Sequence, residues 1–134
     1  MRRCYAVALW SAIAAGSWGL TAPVPARAQI GPNAPVSFKA DVLPIFQVHC
    51  ASCHTPGGQG TEASGLNLTN YQGLMKGTKF GPIVVAGDPE GSNLMRLLDW
   101  RASPELRMPH GKQQLPVGER ATIRRWIQQG AKNN

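Results

Sequence analysis

Cys50, Cys53 and His54 are the residues whose types and spacing most directly imply chemistry in this chain of 134 residues. Cysteines at i and i+3 lie on the same side of a helical turn. Two sulfurs so placed can bond two carbons along one edge of a flat macrocycle, and the imidazole that follows lies beneath a metal at its centre. Cys50-Ala51-Ser52-Cys53-His54 is therefore read as an attachment site for one covalent haem c, with His54 as the proximal iron ligand. Three other readings compete with it. A zinc site needs four ligands, and His49 and His54 would have to complete the set. A thioredoxin-like pair needs a βαβ setting, which the surrounding sequence lacks. A plain disulfide leaves the adjacent histidine without a role. Haem is favoured, and His49 is read as a surface or packing residue.

An iron held by His54 alone keeps an open face, and fast electron transfer favours two fixed ligands. The candidates for the second are Met75, Met95, Met108 and His110. Met75 and Met95 sit in predicted helices beside leucines, where methionine fills core gaps. Met108 lies in the irregular segment Arg107-Met108-Pro109-His110-Gly111, where packing does not explain it. Met108 is the favoured distal ligand and His110 the alternative. A thioether stabilises Fe(II) and raises the potential, whereas a second imidazole lowers it.

Short helices must position these residues. One is predicted over Asp41–Cys50, with Pro44 in its first turn and Val42, Ile45, Phe46 and His49 on one face. Thr55–Gly65 reads as a loop by composition. Thr69 is a candidate cap for a helix over Asn70–Lys76 that Gly77 ends, with Tyr71, Leu74 and Met75 facing inward. Ile83-Val84-Val85 reads as briefly extended. Asp88-Pro89-Glu90 reads as the start of a helix that buries Leu94, Leu97 and Leu98. Ala102–Leu115 reads as irregular. The last helix, Val117–Gln129, carries Ile123, Trp126 and Ile127 as its apolar face and Gly130 as its stop.

The first 28 residues read differently from the rest. Met1-Arg2-Arg3, the apolar stretch Tyr5–Leu20 and the triplet Ala26-Arg27-Ala28 are ordered as a secretory signal peptide cut after Ala28. The apolar run is too short and too diluted by serine and glycine for a membrane span, so no span is expected in the mature chain. A flexible lead-in (29–36) and a single haem domain (37–134) follow. Removing the leader lowers the basic residues from 14 to 11 against 7 acidic ones, leaving +4, and takes Cys4 away. Export places the protein in the periplasm or a comparable compartment, where nucleic acid is not an expected partner. It also places Cys50 and Cys53 under oxidising conditions, and thioether bonds to haem protect both.

Phe38–His54 (FKADVLPIFQVHCASCH), Gly65-Leu66-Asn67-Leu68, Gly87–Leu94, Met108-Pro109 and Ile123–Ala131 (IRRWIQQGA) together resemble the planctomycete-type cytochrome c domain, a relative of the class I cytochromes c. The resemblance implies a small all-α fold of three to five short helices around one haem, with the first and last helices crossing. It implies thioethers at Cys50 and Cys53, iron ligation by His54 and Met108, and a meeting of Phe46 with Trp126 at the crossing. Pro116-Val117-Gly118 departs from the usual polar cap of the last helix. His110 stands where a second proline is common, which keeps a His54/His110 iron as an alternative.

The expected function is single-electron transfer between redox proteins, or service as the electron-accepting subunit of an exported dehydrogenase; an oxidase is the other class of partner. Lys112, Arg120, Arg124 and Arg125 form either a basic docking patch or an ordinary solvated helix face. The rival function is a peroxidase-like enzyme or gas sensor with an open distal side, for which only His110 and Arg107 offer distal chemistry. A zinc- or disulfide-stabilised binding module without haem is the third reading.

Overall fold

Ser37 starts the first helical segment. Its hydroxyl accepts the Ala40 N–H at 3.1 Å, and Asp41 returns the favour by accepting the Ser37 N–H at 2.8 Å. The computed structural model, which describes Gly31 and residues 34–134, places a π-helical turn at Phe38–Val42 that runs directly into α1, Leu43–His49. The segment thus begins three residues earlier than the Asp41 start expected from Pro44. The proposed leader lies outside the described residues, as does part of the lead-in.

Four further helices follow: α2 (Gln59–Ser64), α3 (Tyr71–Lys76), α4 (Asn93–Leu98) and α5 (Val117–Gln128). Among the described residues there is no strand, only a single bridge between Thr78 and Gly81. The fold is small and all-α, as the residues and the resemblance led one to expect. The segment Ala102–Leu115 is irregular apart from one 3-10 turn at Pro104–Leu106. Among the described residues no helix is long and apolar enough to cross a membrane.

Several boundaries differ from expectation for local reasons. Asn70, not Thr69, caps α3 by accepting the Gly73 N–H at 2.8 Å. Asp88 does not start α4. It closes a tight turn by accepting the Gly91 N–H at 2.8 Å, and the helix waits until Ser92. The Ser92 hydroxyl is committed elsewhere, donating to the Asp88 carbonyl at 2.7 Å and accepting the Val85 N–H at 2.8 Å. Ile83 and Val84 are buried, while Val85 is exposed.

Helix α5 packs against the π-turn and against α4. Phe38, Tyr71 and Trp126 form an aromatic triangle with centroids 5.3 Å, 5.4 Å and 6.4 Å apart. Phe38 rather than Phe46 is therefore the aromatic neighbour of Trp126. The polar tips of buried Trp126 and half-buried Tyr71 are satisfied: Trp126 donates to the Lys132 carbonyl at 2.8 Å and Tyr71 to that of Ala131 at 2.9 Å. Asn134 clasps the start of the first helical segment. Its carbonyl accepts from Lys39 at 3.0 Å, and its side chain accepts the Phe38 N–H at 2.8 Å. These bonds serve N–H groups of the first turn that have no partner within the helix.

A charged network fastens α5 to the end of α4. Asp99, with only 12 % of its side chain exposed, takes Arg120 at 2.7 Å and also Arg124, which reaches on to Glu90. Arg120 and Arg124 are therefore committed within the chain and do not make the free basic patch considered above.

Candidate functional site

The haem-attachment motif runs on from the end of α1 as two tight turns. The Phe46 carbonyl accepts the N–H groups of Cys50 and Ala51, each at 2.9 Å; the Cys50 carbonyl accepts those of Cys53 at 3.1 Å and His54 at 2.9 Å. The far side is tied as well: Thr61 donates its N–H to the Cys53 carbonyl at 3.1 Å, and Leu68 to that of His54 at 2.9 Å. The motif backbone is thus fixed by α1 before it and by α2 and the Leu66–Leu68 segment after it.

Helix α2 was expected to be loop. It buries no apolar residue, so no hydrophobic periodicity marks it, and its anchor is the bond from Thr61 to Cys53. Its place in the fold is explained by Gly60. A Cβ at that position would sit 2.8 Å from His54 Cε1 and 2.9 Å from His54 Nε2, so only glycine lets the helix lie against this imidazole. Gly65, at φ 78°, then ends the helix in a left-handed turn that a side chain disfavours.

His54 is 9 % exposed, and its Nδ1 lies 3.3 Å from the Leu66 carbonyl. With the ring proton on Nδ1, that carbonyl accepts it and Nε2 keeps its lone pair for a metal. The same carbonyl accepts the Thr61 hydroxyl at 2.8 Å. The two donors share one oxygen.

His54, Cys50 and Cys53 line a cavity of about 430 Å³, and Met108 lines it too. Phe46, Leu66, Leu68, Leu94 and Leu98 supply most of the remaining wall. Both its size and its apolar lining, with few polar groups, suit a large flat cofactor. Of the other candidates, His110 also reaches this cavity but is exposed, whereas Met95 is fully buried in the core and Met75 packs at its edge. His49 lies near the rim, its Nε2 2.9 Å from Glu119 Oε2 without hydrogen-bond alignment.

Two observations bear on the rivals to haem. Cys50 and Cys53 are not bridged to each other, and burial pushes the Cys50 thiol up to about 11 against the opposing pull of Lys112. A redox-active dithiol needs a depressed thiol instead. Among the described residues there is also no group of three or more His, Cys, Asp or Glu side chains able to hold a metal ion. The donor set, one imidazole and one thioether lining an apolar cavity together with two thiols, fits haem c and does not fit zinc.

No curated protein and no solved structure matches the chain. The family model for planctomycete cytochrome c does, over residues 50–110, a stretch that opens on Cys50 and closes just after Met108 and Pro109. That stretch contains both sulfurs, both axial candidates and most of the cavity wall. Residues 50–110 are thus similar to the planctomycete cytochrome c family, and a cytochrome c domain points to haem-based electron transfer.

Proposed function

We propose that the protein is an exported monohaem cytochrome that passes single electrons between redox proteins, with a dehydrogenase or an oxidase among its partners. The observation that carries this reading is the convergence of His54, Met108 and two cysteines on one apolar cavity. The haem supplies the Fe(III)/Fe(II) couple. The chain supplies the rest. Cys50 and Cys53 would tether the macrocycle edge, and His54 would ligate through Nε2 while its other nitrogen bonds the Leu66 carbonyl. Met108, which lines the same cavity, would supply the second iron ligand, and the leucines would keep water away. Two fixed ligands leave little to rearrange when the charge on iron changes. Export rests on the leader at residues 1–28.

Carbon monoxide tests this against the open-iron alternative. The reduced, haem-loaded protein should bind it poorly, because Met108 holds the sixth position. Rapid stoichiometric binding would instead support a peroxidase-like or gas-sensing role.

The shared Leu66 carbonyl makes a second expectation. In Thr61→Val the imidazole becomes the only donor to that oxygen, which strengthens its bond and makes His54 a better donor to iron. Fe(III) gains, so the potential falls. A hydrogen-bond change of about 0.5–1 kcal/mol corresponds to about 20–40 mV for one electron. A redox titration that finds no shift, or a rise, contradicts the assignment of Leu66 as the oxygen that orients His54.

A further inference from the structure

Trp100 stands just past the end of α4 with a backbone φ of 57°. This left-handed conformation is a genuine outlier for a bulky residue and persists only where the surroundings enforce it. Its indole N–H donates to the Met108 carbonyl at 3.0 Å. The Met108 N–H in turn donates to the Leu97 carbonyl at 3.3 Å, an oxygen that also accepts the Trp100 N–H at 3.2 Å. The Met108 N–H is thus tied to the last turn of α4, the helix whose leucines line the cavity, and its carbonyl to Trp100 just beyond that turn. Arg107 covers the Trp100 ring, its guanidinium carbon 5.5 Å from the centroid, and is itself held by a bond to the Ala102 carbonyl at 3.3 Å.

We propose that Trp100 is the positioning residue that keeps Met108 at the iron. The proposal rests on Met108 being the distal ligand. Trp100 does not line the cavity, so it acts through the Met108 backbone and not on the haem. The segment it holds has little regular structure of its own, only the turn Pro104–Leu106. Without the indole bond, the Met108 peptide is anchored on one side alone. The left-handed backbone of Trp100 serves to aim the indole N–H at that peptide. A role in packing alone would ask only for an aromatic ring, which phenylalanine supplies with the same backbone demand.

Trp100→Phe separates these roles. The reduced, haem-loaded variant should capture carbon monoxide about five- to tenfold faster than the native protein, since losing one hydrogen bond raises the share of molecules with the thioether off the iron by that factor. Its methionine-to-iron charge-transfer absorption should weaken in the oxidised form. A purely structural role would lower thermal stability and leave the capture rate alone. A rate within twofold of native, while Met108→Ala captures rapidly, overturns the role of Trp100 and leaves Met108 as ligand. A native rate already equal to that of Met108→Ala removes Met108 as ligand, and the proposal with it.

The native protein offers the same test should the variant fail to accumulate. Coupling between the ligand and the indole bond is reciprocal. Displacing Met108 with added imidazole should therefore speed hydrogen exchange at the Trp100 indole about five- to tenfold. Unchanged exchange overturns the proposal.

Discussion

Met108→Ala, carrying its haem, will bind carbon monoxide stoichiometrically when reduced and will lose the methionine-to-iron charge-transfer absorption when oxidised. Met108 lines the same cavity as His54, and alanine cannot reach a metal across it. The potential should fall. A thioether favours Fe(II), and a preference of one to two decades corresponds to a drop on the order of 100 mV once it is removed. Covalent attachment should be unaffected, because Cys50 caps the end of α1 and Cys53 follows in the next turn, both held by backbone bonds that do not involve Met108. Spectra of the native and variant proteins, with and without carbon monoxide, measure the first two outcomes, a redox titration the potential and intact mass the attachment. The same experiment on His110→Ala should change little, since His110 is exposed at the cavity mouth.

The double variant Cys50→Ser/Cys53→Ser should have the larger effect on folding. Its haem, if bound at all, will come away in acidified organic solvent, and its unfolding will lose most of its cooperativity. The reason is the cavity of about 430 Å³. Emptied, the site leaves its leucine and phenylalanine walls without partner atoms, a loss set against total domain stabilities of only about 5–15 kcal/mol. Water entering from the open side lowers the cost without restoring the lost contacts. The haem is part of the core, and without tethers its occupancy depends on concentration. Calorimetry should show the transition lost or lowered by at least about 15 °C. A sharp transition at the native temperature in a haem-free variant contradicts this.

How legible these features were in the sequence depended on whether their causes were local. The attachment motif is local, and so is the face of α5, where Ile123, Trp126 and Ile127 are all buried at the spacing of one helical stripe. Gly77 ends α3 as a local stop. The failures share a different origin. Helix α2 has no apolar stripe and exists because Gly60 fits under the His54 ring, a contact that periodicity does not encode. The start of the first helical segment is encoded locally by Ser37 and Asp41, whereas Pro44 marks the first turn of α1 within it. Asp88 looks like a cap in sequence, yet the fold spends it on a turn. Arg120 and Arg124 look like free charge until α5 is laid beside Asp99, 21 and 25 residues away. Phe38 replaces Phe46 beside Trp126 for the same reason: Phe46 faces the cavity, and only the three-dimensional arrangement tells the two apart.

Intact mass after acid-solvent extraction is the most direct test, applied to protein made in cells that mature c-type cytochromes. The account predicts a red polypeptide heavier than its amino-acid sequence by one haem, with neither Cys50 nor Cys53 open to alkylation. A colourless chain at its unmodified mass, taking up alkylating reagent at both positions, would contradict it.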